Sequence, residues 1–516
     1  MKRILAITLL TLACAAQAFS GGVTIITHGF AGNVTDWIIP MAGKIGGYPG
    51  FPGVNYSCYE ISITRNGSGQ YVAAASLIGG VPPAQTDSGE IVVKLDWSTL
   101  SSNGTSTTTV AQTAVNAVLS STLLPELGGR SLGELPLHFI GHSRGGSVMT
   151  EMARLLGAQG VWVDHVSTLD PRPVAQFGDA AVTSWANVLY ADNFWQTMGD
   201  GLFTPNGQSV FGAYNRKLLD LNGGYTSTHS DVHLWYHGTI DLATPASDTQ
   251  ATITATQRNT WWTSPETFGA GAGFVFSLIG GGDRLSNLEP AGIGNGRIND
   301  GFNRFWNIGC GIAANRTALS TNAGSWPNPI RFLRNDASTI EPGGSFDATL
   351  YYQTGSTAAG QIAADVFLDP DANPYNGNEI AAGQWALAKS GTNAVLVQML
   401  APSVNALTPA GTYFVGARLS DNGHTRYLYA PQRVNVSAST QAPSIDASSL
   451  AVNAGGARFD VHARPGQTVI VLASTDLKTW TPLASRTFDT SVWQFSDTNA
   501  GSFARRFYRA SLAGAP

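Results

Sequence analysis

Between residues 19 and 300, short apolar runs alternate with glycine-rich turns and segments of helical spacing. Val23–Thr27, Ile91–Leu95, Leu135–Ile140, Val166–Leu169 and Val188–Tyr190 read as strands. Their nearly uninterrupted apolar character predicts burial on both faces. Ala111–Leu124, Ser147–Leu156 and Val232–Ile240 repeat apolar positions at helical spacing. The alternation predicts an α/β unit over 19–300, a mostly parallel sheet with helices on both faces. Residues 264–330 are rich in Gly, Asn and Ser with little periodicity, and 301–330 is expected to be an irregular linker. From about 330 the period shortens to two residues and no good helix follows. Phe346–Tyr352, Ile362–Leu368 and Tyr413–Leu419 fit an Ig-like β-sandwich over 331–437. A Thr/Ser/Pro stretch at 437–445 marks a boundary before a small β module over 445–516, with strands at Val469–Ala473 and Arg505–Arg509.

The N-terminus carries a different pattern. Met1-Lys2-Arg3 supplies positive charge, Ile4 to Ala16 is apolar, and Ala16-Gln17-Ala18 is a small-residue cleavage site. Residues 1–18 therefore read as an export signal, and the mature chain is expected outside the cytoplasm, extracellular or periplasmic. The apolar run is too short to span a bilayer, and no later run reaches about 18 apolar residues, so a transmembrane protein is not expected. A chain of 516 residues exceeds what one hydrophobic core organises. Only 12% of residues are charged, the net charge is -5, and no Lys/Arg cluster occurs. Nucleic acid is thereby excluded as an expected partner. Beyond the signal two cysteines remain, Cys58 and Cys310, which an oxidising compartment either pairs or leaves as buried thiols. No Cys/His spacing suggests zinc.

Gly141-His142-Ser143-Arg144-Gly145 follows a predicted strand and precedes a predicted helix. A Gly-x-Ser-x-Gly turn in that setting exposes a serine oxygen at a sheet edge, and its small residues permit the strained backbone. The serine needs a histidine to take its proton and a carboxylate to hold that histidine. In this arrangement the chain order is serine, acid, histidine. His229, His233 and His237 cluster within 226–237. His229 is placed in the loop before the last helix, whereas His233 and His237 are four residues apart and share a helical face. His229 is the expected base, with His233 as the alternative. For the acid, Asp170 and Asp192 both end predicted strands at the right sheet edge, and spacing alone does not separate them. The oxyanion hole is expected from the amides of Arg144, just after the serine, and Phe30, in the His28-Gly29-Phe30 turn after the first strand.

Together these motifs resemble the pancreatic-type lipases. His28-Gly29-Phe30 with Trp37 is similar to that family's oxyanion loop, Asp96-Trp97 to its next strand end, and Gly141–Gly145 to its nucleophile turn. Leu169-Asp170-Pro171 resembles the segment carrying the family's acid, and His229 with Trp235-Tyr236 its histidine loop. The resemblance covers roughly residues 23 to 243. It implies an α/β-hydrolase fold, a Ser143-Asp170-His229 triad, ester or lipid substrates, and no required cofactor. An esterase or depolymerase acting on polyester, phospholipid or acetylated polysaccharide is the alternative, its β domains gripping an insoluble surface or polymer. A non-catalytic adhesin is the reading from another class. Aromatics within 193–225 (Phe194, Trp195, Phe203, Phe211, Tyr214, Tyr225) either line an acyl pocket or cover it, or are ordinary packing, and Trp261-Trp262 reads as core or pocket wall. Asp369, Asp371 and Asn373 offer alternating oxygens that suit a structural calcium, although such loops are also common turns.

Overall fold

The computed structural model describes residues 21–46, 56–86, 89–200, 204–221, 223–240, 253–261, 273–276, 316–320, 324, 326–335, 339–355, 359–389, 395–453 and 455–513. The expected export signal and Cys310 lie outside them.

The N-terminal unit is built on one sheet. Its strands are β1 (Val23–Thr27), β2 (Ser57–Arg65), β3 (Tyr71–Gly80), β4 (Ile91–Asp96), β5 (Leu137–His142), β6 (Val163–Leu169), β7 (Val188–Trp195) and β8 (Tyr214–Lys217). The spatial order is β3-β2-β4-β1-β5-β6-β7-β8. β1 sits at the centre between β4 and β5, aligning Thr27 with Leu95 and Gly141. The strands that end at 27, 142 and 169 therefore deliver the chemistry-bearing turns to one edge. Helices α1 (Ile38–Gly46) and α4 (Thr228–Ile240) share one hydrophobic core with Ile26, Val92, Ile140 and Leu169. α2 (Thr107–Val118) and α3 (Arg144–Ala158) share the other with Ile25, Val93 and Phe139. α2 is started by Ser106, whose side chain accepts the Thr109 amide. A short helix α5 (Ala255–Trp261) follows, and Trp235 Nε1 donates to the Trp261 carbonyl at 3.2 Å.

The expected fold class requires correction. Strand makes up 41% and helix 19% of the structure, the large sheet is mixed, and most strands beyond it form small antiparallel sheets. The element that most changes the sheet is the β2–β3 hairpin, where Tyr71–Gly80 runs antiparallel to β2. Its residues alternate between half-buried and exposed, which an antiparallel edge tolerates because one face meets water. The α/β-hydrolase class with a mostly parallel sheet is not the class of this chain.

The second β unit comprises β9 (Pro327–Arg334), β10 (Thr339–Ile340), β11 (Ala348–Thr354), β12 (Gln361–Asp369), β13 (Ile380–Ala388), β14 (Leu396–Leu400), β15 (Gly411–Asp421), β16 (His424–Tyr429) and β17 (Val434–Val436). β9 begins inside the stretch expected as linker. Asn328 on β9 binds this unit to the first: its amide donates to the Gly160 carbonyl at 2.8 Å, and its oxygen accepts the Trp162 amide at 2.9 Å. Buried Arg426 on β16 reaches the same oxygen and the Trp162 carbonyl, both at 2.8 Å. The last unit has its own core around Phe459, Val469, Val471 and Phe495. Its strands are β18 (Ser444–Asn453), β19 (Gly456–His462), β20 (Thr468–Ser474), β21 (Thr481–Thr487), β22 (Val492–Asp497) and β23 (Phe507–Leu512).

Candidate active site

β5 runs to His142 and α3 starts at Arg144, so Ser143 alone makes the turn, with φ 56° and ψ −123°. Such a conformation costs an L-residue of order 1–3 kcal/mol and persists only where the surroundings enforce it. Here they do. The Ser143 amide donates to the Leu169 carbonyl at 3.0 Å, and its carbonyl accepts the Arg172 and Gly146 amides at 3.1 and 3.0 Å. The flanking glycines have no room for a side chain. A Cβ on Gly141 would stand 2.3 Å from the Gly145 carbonyl oxygen, and one on Gly145 2.5 Å from that of His28.

Asp170 follows β6, wholly buried and also with positive φ (47°), its amide held by the Phe194 carbonyl at 2.7 Å. Its Oδ2 accepts the Nδ1–H of His229 at 2.6 Å. That bond places the ring proton on Nδ1 and leaves Nε2 as the base. His229 is the second residue of α4 rather than part of the preceding loop. His142 links it to the serine turn: its Nε2–H donates to the His229 carbonyl at 2.8 Å, and the two rings lie 4.5 Å apart. Burial holds His142 well below the ordinary histidine range, so it stays neutral as that donor. Ser143, Asp170 and His229 are thus brought to one edge of the sheet.

The two runner-up residues are committed elsewhere. His233 stacks on Trp37 with ring centres 4.4 Å apart, and burial pushes its pKa well below normal. Asp192 accepts from Ser167 Oγ at 2.6 Å and lies 2.9 Å from His165 Nε2, in a separate network buried within the sheet.

At the proposed oxyanion loop, the close approach is enabled by Gly29, where a Cβ would lie 2.5 Å from Ser143 Cβ. The Phe30 side chain is 52% exposed and stacks on Phe177 at 6.2 Å. Arg144 opens α3, where first-turn amides have no intrahelical partner and favour negative charge. Its side chain is a clamp that sequence reasoning did not anticipate. Fully buried, it pairs with Asp179 through Nε (2.6 Å) and Nη2 (2.5 Å), donates to the Ser101 and Thr105 carbonyls, and lies over the rings of Trp97 and Phe177.

The aromatics of 193–225 divide. Phe194 packs in the core on Trp235 and Tyr236, Tyr225 meets His233 edge-on, and Phe211 is 59% exposed. Trp195 lies under Lys217, Trp261 is buried, and Phe203 and Trp262 lie outside the described residues. The calcium candidates form a turn. Asp369 Oδ1 accepts the Asp371 amide, Asp371 Oδ1 the Asn373 amide, and Asn373 Nδ2 donates to the Pro83 and Thr86 carbonyls. Burial pushes Asp369 up to about 7. Among the described residues no three His, Cys, Asp or Glu side chains gather around a common point.

No family model matches the chain, and no curated protein does. Among solved structures, a CARDB domain from Pyrococcus furiosus, in complex with di-metal ions, is 11% identical over 23% of this chain and 94% of that one, with a TM-score of 0.15. A superoxide reductase (neelaredoxin) from Ignicoccus hospitalis is 9% identical over 20% of this chain and 79% of that one, with a TM-score of 0.13. Likenesses this slight carry no argument about fold or chemistry, and the resemblance to pancreatic-type lipases gains nothing from them. Among the described residues no helix is long and apolar enough to cross a membrane.

Proposed function

We propose that this protein is an exported serine hydrolase of carboxylic esters, lipase-like in chemistry, acting through an acyl-enzyme. The observation that carries the reading is the 2.6 Å bond from His229 Nδ1 to buried Asp170, beside a serine held at positive φ between strand and helix. A surface turn would relax that strain; a nucleophile turn has a use for it.

In the proposed cycle, His229 Nε2 takes the Ser143 Oγ proton as Oγ bonds to the ester carbonyl carbon. The amides of Phe30 and Arg144 stabilise the oxygen anion so formed. The carbon–oxygen bond to the alcohol then breaks, and the alcohol leaves with the proton from His229. A water deprotonated by His229 attacks the acyl-enzyme, the acid departs, and Ser143 recovers its proton. Asp170 orients the ring and offsets its transient positive charge. The cycle calls on no metal or organic cofactor. The exposed Phe30 ring beside the proposed oxyanion site favours substrates with an apolar acyl or alkyl group.

A depolymerase acting on a polymeric ester is the second reading. It is favoured by an open cleft of about 840 Å³ where the second β unit meets the first, lined by Trp385, Tyr427, Gln384, Asp365, Arg418 and Arg130. Hydrolysis of nitrophenyl esters of increasing acyl length, by wild type and Ser143→Ala, tests the proposal. Turnover by wild type that the variant lacks supports it, and equal turnover by both refutes it.

A further inference from the structure

Gln196 follows β7 directly and is completely buried. Its backbone amide donates to Asp170 Oδ1 at 2.8 Å, and its side-chain Nε2 donates to Asp170 Oδ2 at 2.8 Å. Oδ2 is the oxygen that also receives the His229 ring proton. Nε2 spends its other hydrogen on the Pro205 carbonyl at 2.9 Å. The side-chain oxygen accepts the Met198 amide and, at 3.3 Å, the hydroxyl of Thr228. An amide has two hydrogens and one oxygen to offer, so every group here is committed and its orientation is fixed. Thr228 immediately precedes His229, so one side chain touches both the acid and the start of the helix carrying the base.

From this geometry we infer that Gln196 is a positioning residue for the proposed reaction: it holds Asp170 as an oriented acceptor for the His229 ring. The inference rests on the serine hydrolase reading above. A fully buried carboxylate is cut off from bulk solvent, and donors to both oxygens fix its orientation. Gln196 supplies one N–H to each oxygen. Without its side chain, Oδ2 keeps, among the described residues, only the imidazole it is meant to steer. The ring then loses a firmly held acceptor for Nδ1, at a cost felt in the chemical step rather than in binding.

The test uses the full chain, nitrophenyl esters and a fluorophosphonate probe, with kcat and KM followed across pH. Gln196→Leu removes the side-chain donor and keeps the backbone one. It is expected to lower kcat about 10- to 100-fold with little change in KM, as for loss of a hydrogen bond to a charged group. Gln196→Glu separates positioning from packing. The introduced carboxyl has the same shape but one hydrogen where the amide has two, so it gives up the Pro205 bond and donates to Asp170 only while protonated, a state its acidic neighbour favours. Activity of this variant is expected to approach wild type at acid pH and to fall as pH rises, adding a limb that wild type lacks. The inference is overturned if kcat of Gln196→Leu stays within about twofold of wild type. It is equally overturned if Gln196→Glu follows the wild-type pH profile, and this arm decides the matter should the leucine variant not fold. Wild type that neither turns over ester nor takes the probe sinks the hydrolase reading itself. Wild type labelled at Ser143, with an unremarkable Gln196→Glu profile, sinks the Gln196 role alone.

Discussion

Asp179 gathers four donors in a site where neither it nor Arg144 meets solvent. Its oxygens accept Arg144 Nε and Nη2, the Thr107 amide at 3.1 Å and the Val174 amide at 2.7 Å. Asp179→Ala strips all four at once. Removing one partner of a buried ion pair costs about 3–5 kcal/mol, because the remaining charge stays buried. Each orphaned amide adds roughly 1 kcal/mol, and water entering the vacated space offsets part of the sum. Two carbonyls and two aromatic rings still hold the guanidinium, so we expect a net loss of about 4 kcal/mol. The assay is urea unfolding followed by circular dichroism, read as a lowered midpoint at unchanged slope. The double variant Arg144→Met with Asp179→Leu is expected to lose less than Asp179→Ala alone, since no charge is left uncompensated. A loss below about 1 kcal/mol for Asp179→Ala, the range of an exposed pair, would refute the reasoning.

Gly29→Ala places a methyl group 2.5 Å from Ser143 Cβ. It should lower kcat about 100-fold, as expected for a displaced oxyanion donor, with a near-native circular dichroism spectrum. Asp231 is buried, accepts the Tyr225 amide at 2.7 Å, and is raised by burial to about 8. The native state therefore keeps this proton through a range where the unfolded chain has released it, and stability falls as pH rises from about 4 to about 8. Asp231→Asn should flatten that decline, visible as a Tm advantage over wild type that grows as pH rises from about 4 to about 8. Asn328→Ala leaves the Trp162 amide and the Arg426 guanidinium without their shared acceptor. We expect about 3 kcal/mol of destabilisation, detected as faster proteolysis between the first two units.

The legible parts of the chain were those whose pattern matched their burial. β1 is wholly buried, its two threonines included, and lies where the pattern predicts; β4 extends one residue past its expected end. The strand–turn–helix at Ser143 was legible because glycine spacing, strand and helix all agree there. The β2–β3 hairpin escaped notice: Ser57–Arg65 and Tyr71–Gly80 mix Ser, Thr and Ala into their alternation, and their half-open faces weaken the apolar signal. With that antiparallel edge and the strand-rich remainder, the expected fold class does not hold. His229 falls inside α4 because Thr226-Ser227-Thr228 starts the helix earlier than the apolar period does. Asp170 and Asp192 were inseparable by spacing, since what distinguishes them is which histidine each meets across the sheet. Gln196 and the Arg144–Asp179 pair gave no local signal at all. Their roles come from partners 26 and 35 positions away, joined only when the strands assemble.

The most direct test of the central claim is mass spectrometry of the protein after exposure to a fluorophosphonate, beside His229→Ala and Ser143→Ala. The account predicts a single adduct on Ser143 in wild type, strongly slowed labelling without His229, and none without the serine. A wild-type protein that stays unmodified, or one labelled elsewhere with Ser143 untouched, would contradict it.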